Sequence, residues 1–86
     1  MTFFYVYVLK SISHPNQIYT GFTEDLNKRL SDHDAGRARH TSKYAPWQCL
    51  VALRFPTKHK ALEFERYLKT GSGRAFLKRH FLLSDD

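Results

Sequence analysis

Apolar residues fall in three short blocks, and between and after these blocks they recur every three or four positions. The first block, Phe3 to Leu9, is β-branched or aromatic apart from Leu9 and too short for a globular helix, which predicts a strand. Both alternating faces of that run are apolar, as expected for a central strand in a sheet covered on both sides. His14, Pro15 and Asn16 mark a turn, and Gln17 to Phe22 resumes the strand pattern. The first two strands therefore predict an antiparallel hairpin. A third strand is predicted from Trp47 to Phe55, closed by Pro56.

Helical spacing occupies most of the rest. Thr23 is a suitable N-cap for a helix from Glu24 to Ala35, with Glu24 and Asp25 complementing its dipole and Gly36 stopping it. Thr57 can cap a second helix that continues to Thr70 and ends at Gly71. Ser72 can cap a third reaching about Leu83, after which residues 84–86 are expected to fray. Arg37 to Pro46 lacks apolar periodicity and reads as a basic, exposed loop. The order ββαβαα, with a three-stranded sheet and helices packed on it, belongs to the α+β class, as a single domain over residues 1–83.

Composition narrows the setting. Eighty-six residues support one small core, and 15% aromatic content supplies large side chains to build it. The lone cysteine, Cys49, excludes an internal disulfide framework and a Cys-rich zinc site. It sits in an apolar strand and reads as core packing, and the chain as a cytoplasmic protein. No apolar run approaches the roughly 20 residues of a membrane span, and no charged leader precedes the first strand, so neither membrane insertion nor secretion is expected. Fourteen Lys and Arg against eight Asp and Glu give a net charge of +6, which makes a polyanion, nucleic acid first, the leading partner.

Three polar side chains stand where apolar ones are expected. On the second helix Glu65 falls inside the arc of Ala61, Leu62, Phe64 and Leu68, whereas Glu63 points away. A carboxylate on that face needs an ion pair, hydrogen bonds or a metal. On the first helix Arg29 and His33, one turn apart, lie beside the stripe of Leu26 and Leu30, while Asp25, Lys28 and Asp32 look outward. The three either share one polar pocket or are satisfied separately. Strand alternation sets Tyr5 with Tyr7, and Tyr19 with Gly21. A glycine inside a strand marks close approach by another group.

Tyr5-Val6-Tyr7, then Tyr19-Thr20-Gly21, then Arg29, His33 and Glu65 in that order resemble the GIY-YIG endonuclease family over nearly the whole chain. The stretches His40 to Trp47 and Tyr67 to Arg74 look like small bacterial members similar to the nuclease domain of an excision-repair subunit, a setting in DNA repair. The resemblance implies a three-stranded antiparallel sheet flanked by helices and a metal-dependent hydrolysis of nucleic-acid phosphodiesters. It assigns Tyr7 and Tyr19 as the two tyrosines, Arg29 as the phosphate-binding cation, His33 as their partner, and Glu65 as the ligand of Mg²⁺ or Mn²⁺. Tyr7 is the first choice for general base, and its role could be exchanged with that of Tyr19. Tyr5 stands at the family's first Gly position, Thr20 replaces an Ile, and no Asn follows Asn27. DNA, cut with structure selectivity or weak sequence specificity, is the expected substrate, with RNA as the other. The alternative is a non-catalytic nucleic-acid-binding module. Arg37, Arg39, Lys43, Lys69, Arg74 and Lys78 are the candidate nucleic-acid contacts, a monomer is the default, and substrate selection through a partner protein is left open.

Overall fold

A computed structural model describes residues 2–82. Strand β1 (Phe4–Ser11) lies between β2 (Ile18–Thr23) and β3 (Trp47–Phe55), and both neighbours run antiparallel to it. Helix α1 (Leu26–Asp34) follows the hairpin. A single turn of tight helix at Ser42–Tyr44 leads into β3, and helices α2 (Lys58–Leu68) and α3 (Gly71–Leu77) follow, with a π-helical stretch at Lys78–Leu82. The α+β architecture and the central position of the first strand agree with the sequence pattern. No helix among the described residues is long and apolar enough to cross a membrane.

Alternation along β1 divides the core into two layers. Val6 and Val8 face α2 and α3, where they meet Ala61, Leu68 and Leu77 and are flanked by Phe64 and Phe76. Tyr7 and Leu9 face the opposite way, toward Trp47, Leu26 and Leu30. All four β1 residues are essentially inaccessible, so burial on both sides of this one strand carries much of the hydrophobic stabilisation.

Several local features differ from the sequence reading. Helix α1 begins at Leu26 rather than Glu24, because its N-cap is Asp25, whose side chain accepts from Lys28 N. Thr23 instead ends β2 and accepts from Asp25 N through its hydroxyl. Gly36 does terminate the helix, with a φ of 76° that suits glycine. Thr57 caps α2 as expected, accepting from Lys60 N, but α2 stops at Leu68. Thr70, not Ser72, caps α3: its Oγ1 accepts from Gly73 N at 3.1 Å. A threonine that could have ended one helix is used to start the next. The third helix keeps α-helical bonding only to Leu77 before widening into the π-helical stretch. Leu83 and the expected frayed tail lie outside the described residues.

Cys49 is also corrected. It is exposed rather than packed, because β3 is an edge strand and its register against β1 shifts: Val8 pairs with Val51, but Leu9 pairs with Cys49. Leu50 is the extra residue of this bulge, which breaks the period-2 pattern on which the core assignment rested. Burial of the remaining part of the thiol pushes its pKa up, so it is a poor nucleophile in any case.

Candidate active site

The centre of the α1-side layer is polar. Tyr7 is 0% exposed, and its direct partner across the sheet is Gly21. The ring lies over the space where a side chain at 21 would be: a Cβ there would overlap Tyr7 Oη and stand 2.5 Å from Cζ and 2.8 Å from Tyr19 Cε2. Glycine in this strand is thus explained by the close approach of a phenol. Gly21→Ala is expected to displace the Tyr7 hydroxyl and to lower stability by about 2 kcal/mol, measured by denaturant unfolding. An unchanged midpoint would show that the ring packs elsewhere.

Tyr7, Tyr19 and His33 form one cluster. The Tyr7 hydroxyl and His33 Nε2 are 2.8 Å apart, and the Tyr19 ring lies 6.2 Å from that of Tyr7 and 5.0 Å from that of His33. Helical spacing delivers His33 and Arg29 from the same face of α1, as expected. Beyond His33, Nδ1 meets the Thr41 hydroxyl at 2.6 Å. Thr41 is buried within the otherwise polar 37–46 loop, and its carbonyl accepts from Trp47 Nε1 at 2.9 Å. No buried side-chain nitrogen or oxygen among the described residues lacks a hydrogen-bond partner.

Electrostatics keeps this cluster neutral. Burial, reinforced by the nearby Tyr19, pushes the Tyr7 phenol up to about 12, although the Arg29 guanidinium beside it pulls the other way. Burial and the Arg29 charge together lower the pKa of His33 from its ordinary 6.5, against a weaker opposing pull from Asp32. The sign for stability follows. As pH falls below about 6.5, the unfolded chain takes up a proton at this histidine before the folded one does, so folding weakens with acidification until the buried imidazole itself protonates. Thermal unfolding between pH 8 and pH 5 should show a falling Tm in the wild type and a shallower fall in His33→Gln. Equal slopes would contradict a depressed His33.

Glu65 is satisfied separately. It lies on α2, against the opposite layer, and its carboxylate meets Lys69 Nζ at 3.4 Å with the side chain 20% exposed. It is therefore only half inside the apolar arc, and the pair that offsets its desolvation is a lysine one turn on. That pair is exposed on the lysine side, so little free energy opposes its exchange for another cation. Among the described residues no group of three or more His, Cys, Asp or Glu side chains gathers as a metal site. One accessible carboxylate still fits a hydrated Mg²⁺ or Mn²⁺, which takes its remaining ligands from water and phosphate.

A groove of about 930 Å³ at the free edge of β2 joins the two layers. Tyr19 borders it together with Lys69, Arg74 and Lys78 from the α2–α3 end, and Lys10 contributes from β1. Lys69 lines this groove and pairs with Glu65, whose own carboxylate is not part of the lining. Three of the six basic residues singled out in the sequence thus converge. The other three do not join them: Arg37 is tied to Asp32 at 2.9 Å and to Ser31, Lys43 lies over the Tyr44 ring, and Arg39 is exposed in the loop. Asp32 is accordingly less outward than its helical position suggested, being held by Arg37 and Lys28. Lys10 and Thr41 were not singled out in the sequence. A lysine ending an apolar strand carries no signal, whereas Thr41 stood within the His40 to Trp47 stretch as a small hydroxyl in a charged loop.

Comparison with known proteins identifies the family. Residues 3–79 match the GIY-YIG catalytic domain. The structure-specific endonuclease subunit SLX1 of Candida dubliniensis is 37% identical over 92% of this chain and 29% of its own length, and the UPF0213 protein YazA of Bacillus subtilis is 38% identical over 78% of this chain and 65% of its own. The chain spans only 18 to 29% of the first SLX1 relatives it matches. The solution structure of the UPF0213 protein BH0048 from Bacillus halodurans superposes with a TM-score of 0.54 at 28% identity, covering 90% of this chain and 83% of that one. With the match running from the first strand into the residues after α3, the chain belongs to the GIY-YIG endonuclease family.

Proposed function

We propose that the chain is a metal-dependent endonuclease that hydrolyses DNA phosphodiesters with structure selectivity and little sequence specificity. The observation that carries this reading is the buried Tyr7 hydroxyl, bonded to His33 under Gly21 and beside Arg29, with Tyr19 leading from it to a basic groove. Relatives named as subunits of a structure-specific endonuclease support cleavage with structure selectivity, and the word subunit supports a partner protein.

In this reading Glu65 holds Mg²⁺ or Mn²⁺. The ion, when bound, neutralises phosphate charge and makes the attacking water more acidic. The chain's own groups do the rest. Arg29 offers its planar fork to the non-bridging oxygens of the scissile phosphate, where charge builds up in the transition state. Tyr19 orients water or phosphate at the rim. Tyr7 relays the water proton: as its oxygen takes that proton, its own passes to His33 Nε2, the acceptor already in contact with it, so no free phenolate has to form.

Lys69, Arg74 and Lys78 track the backbone from the groove. Arg74→Ala with Lys78→Ala should lower the slope of log affinity against log salt by about 2 on duplex DNA, as the release of two phosphate contacts requires, and a slope within error of the wild type would remove these residues from the interface. The reading as a whole is tested with branched, nicked, single-stranded and linear DNA in Mg²⁺ or Mn²⁺: products are expected chiefly from the branched or nicked forms. A second reading, a binding module without turnover, draws on the same high Tyr7 pKa and on the lack of an Asn after Asn27. Salt-sensitive binding with no products in any metal would favour it.

A further inference from the structure

Neutral imidazole carries one N–H, so of the two short contacts made by His33 one must donate and the other accept. Which way round decides whether this histidine can take a proton from Tyr7. Thr41 Oγ1 is placed to donate to Ala38 O, a long contact of 3.5 Å. With its proton turned to that carbonyl, the hydroxyl oxygen is left to accept from the imidazole. Nδ1–H then donates to Thr41 Oγ1 at 2.6 Å, and Tyr7 O–H donates to the free Nε2 at 2.8 Å.

Thr41 is built to hold that position. It is 2% exposed; its N–H donates to Ala38 O at 3.1 Å, and its own carbonyl accepts from the buried Trp47 indole. The loop is thus pinned on both sides of the hydroxyl. The groups facing the imidazole are Tyr7 from β1, Tyr19 from β2, Arg29 and Asp32 from α1, and Thr41 from the loop. Of these, Thr41 meets Nδ1.

We propose that Thr41 is a positioning residue: its hydroxyl oxygen accepts the Nδ1 proton of His33 and fixes the tautomer whose free Nε2 receives the Tyr7 proton. When Tyr7 takes up the water proton, its own O–H bond breaks and an Nε2–H bond forms, which leaves a neutral phenol beside an imidazolium still bonded through Nδ1–H to Thr41. The consequence for cleavage rests on the nuclease reading. The tautomer itself can be read without substrate.

The test is the ¹⁵N spectrum of the His33 ring at neutral pH in wild type, Thr41→Ser and Thr41→Val, each with an amide spectrum to confirm folding. Wild type and Thr41→Ser should carry the proton on Nδ1, and Thr41→Val should shift the population measurably toward Nε2–H. A wild-type ring protonated on Nε2 overturns the assignment whatever the variants do. A folded Thr41→Val with an unchanged ring overturns the role of Thr41. In cleavage assays Thr41→Val should lower kcat about 10- to 100-fold with little change in KM, and Thr41→Ser should restore most of it. The predicted tautomer in a protein that cuts no DNA would preserve the positioning role and sink the nuclease reading instead.

Discussion

Tyr7→Phe is expected to lower the single-turnover rate of DNA cleavage about 10³-fold while leaving the fold intact. The substitution removes one oxygen and keeps the ring that fills the space over Gly21. General acid–base groups contribute roughly 10² to 10⁴ in rate, and a group that also connects His33 to the reacting water belongs toward the upper part of that range. Stability should fall by only about 1 kcal/mol, because His33 Nε2 loses a buried partner. Tyr19→Phe is the informative comparison. If it loses more rate than Tyr7→Phe, the two tyrosines exchange roles and the base stands at the rim of the groove.

The largest effect on folding is expected from Gly73→Ala. A Cβ at this buried position would overlap the backbone carbonyl of Tyr67 and stand 2.5 Å from Leu68 Cα. Both belong to the last turn of α2 and have no rotamer through which to yield. Helix α3 would have to lift away from α2, breaking the Thr70 cap and the contact of Leu77 with Ala61 and Leu68. A loss of about 4 kcal/mol and a fall in Tm on the order of 20 °C are expected for a domain of this size. Gly71→Ala, two residues earlier, is the control. Nothing lies within 4 Å of its would-be Cβ, so it should change stability by less than about 1 kcal/mol. Similar losses at both positions would show that helix propensity, not the close approach of α2, governs this turn.

Residues whose neighbours lie close in sequence were the most legible. The two apolar faces of β1 identified it as the central strand, and the spacing of Arg29 and His33 on α1 set them on one side, where His33 bonds to Tyr7 and the Arg29 charge acts on it. Gly21 was marked as a point of close approach, although only the strand register identifies the approaching group as Tyr7. The helix ends were less legible because hydroxyl and carboxylate caps compete over short distances: Asp25 won over Thr23, and Thr70 over Ser72. Cys49 was misplaced by a one-residue bulge, which no alternation pattern records. Glu65 exposes a deeper limit. Its helical phase showed that it faces inward in part, but the choice between sharing a pocket with His33 and pairing with Lys69 depends on which side of the sheet α2 covers.

Cleavage of a labelled branched DNA in Mn²⁺ by wild type and by Glu65→Gln, each with an EDTA control, tests the central claim most directly. Glutamine keeps the size and polarity of the side chain but removes the charge that would hold the ion, and the exposed Lys69 pair contributes little to folding. The account predicts metal-dependent products from the wild type and a loss of at least about 10²-fold in a folded Glu65→Gln. Equal cleavage by the two proteins, or products that persist in EDTA, would contradict it.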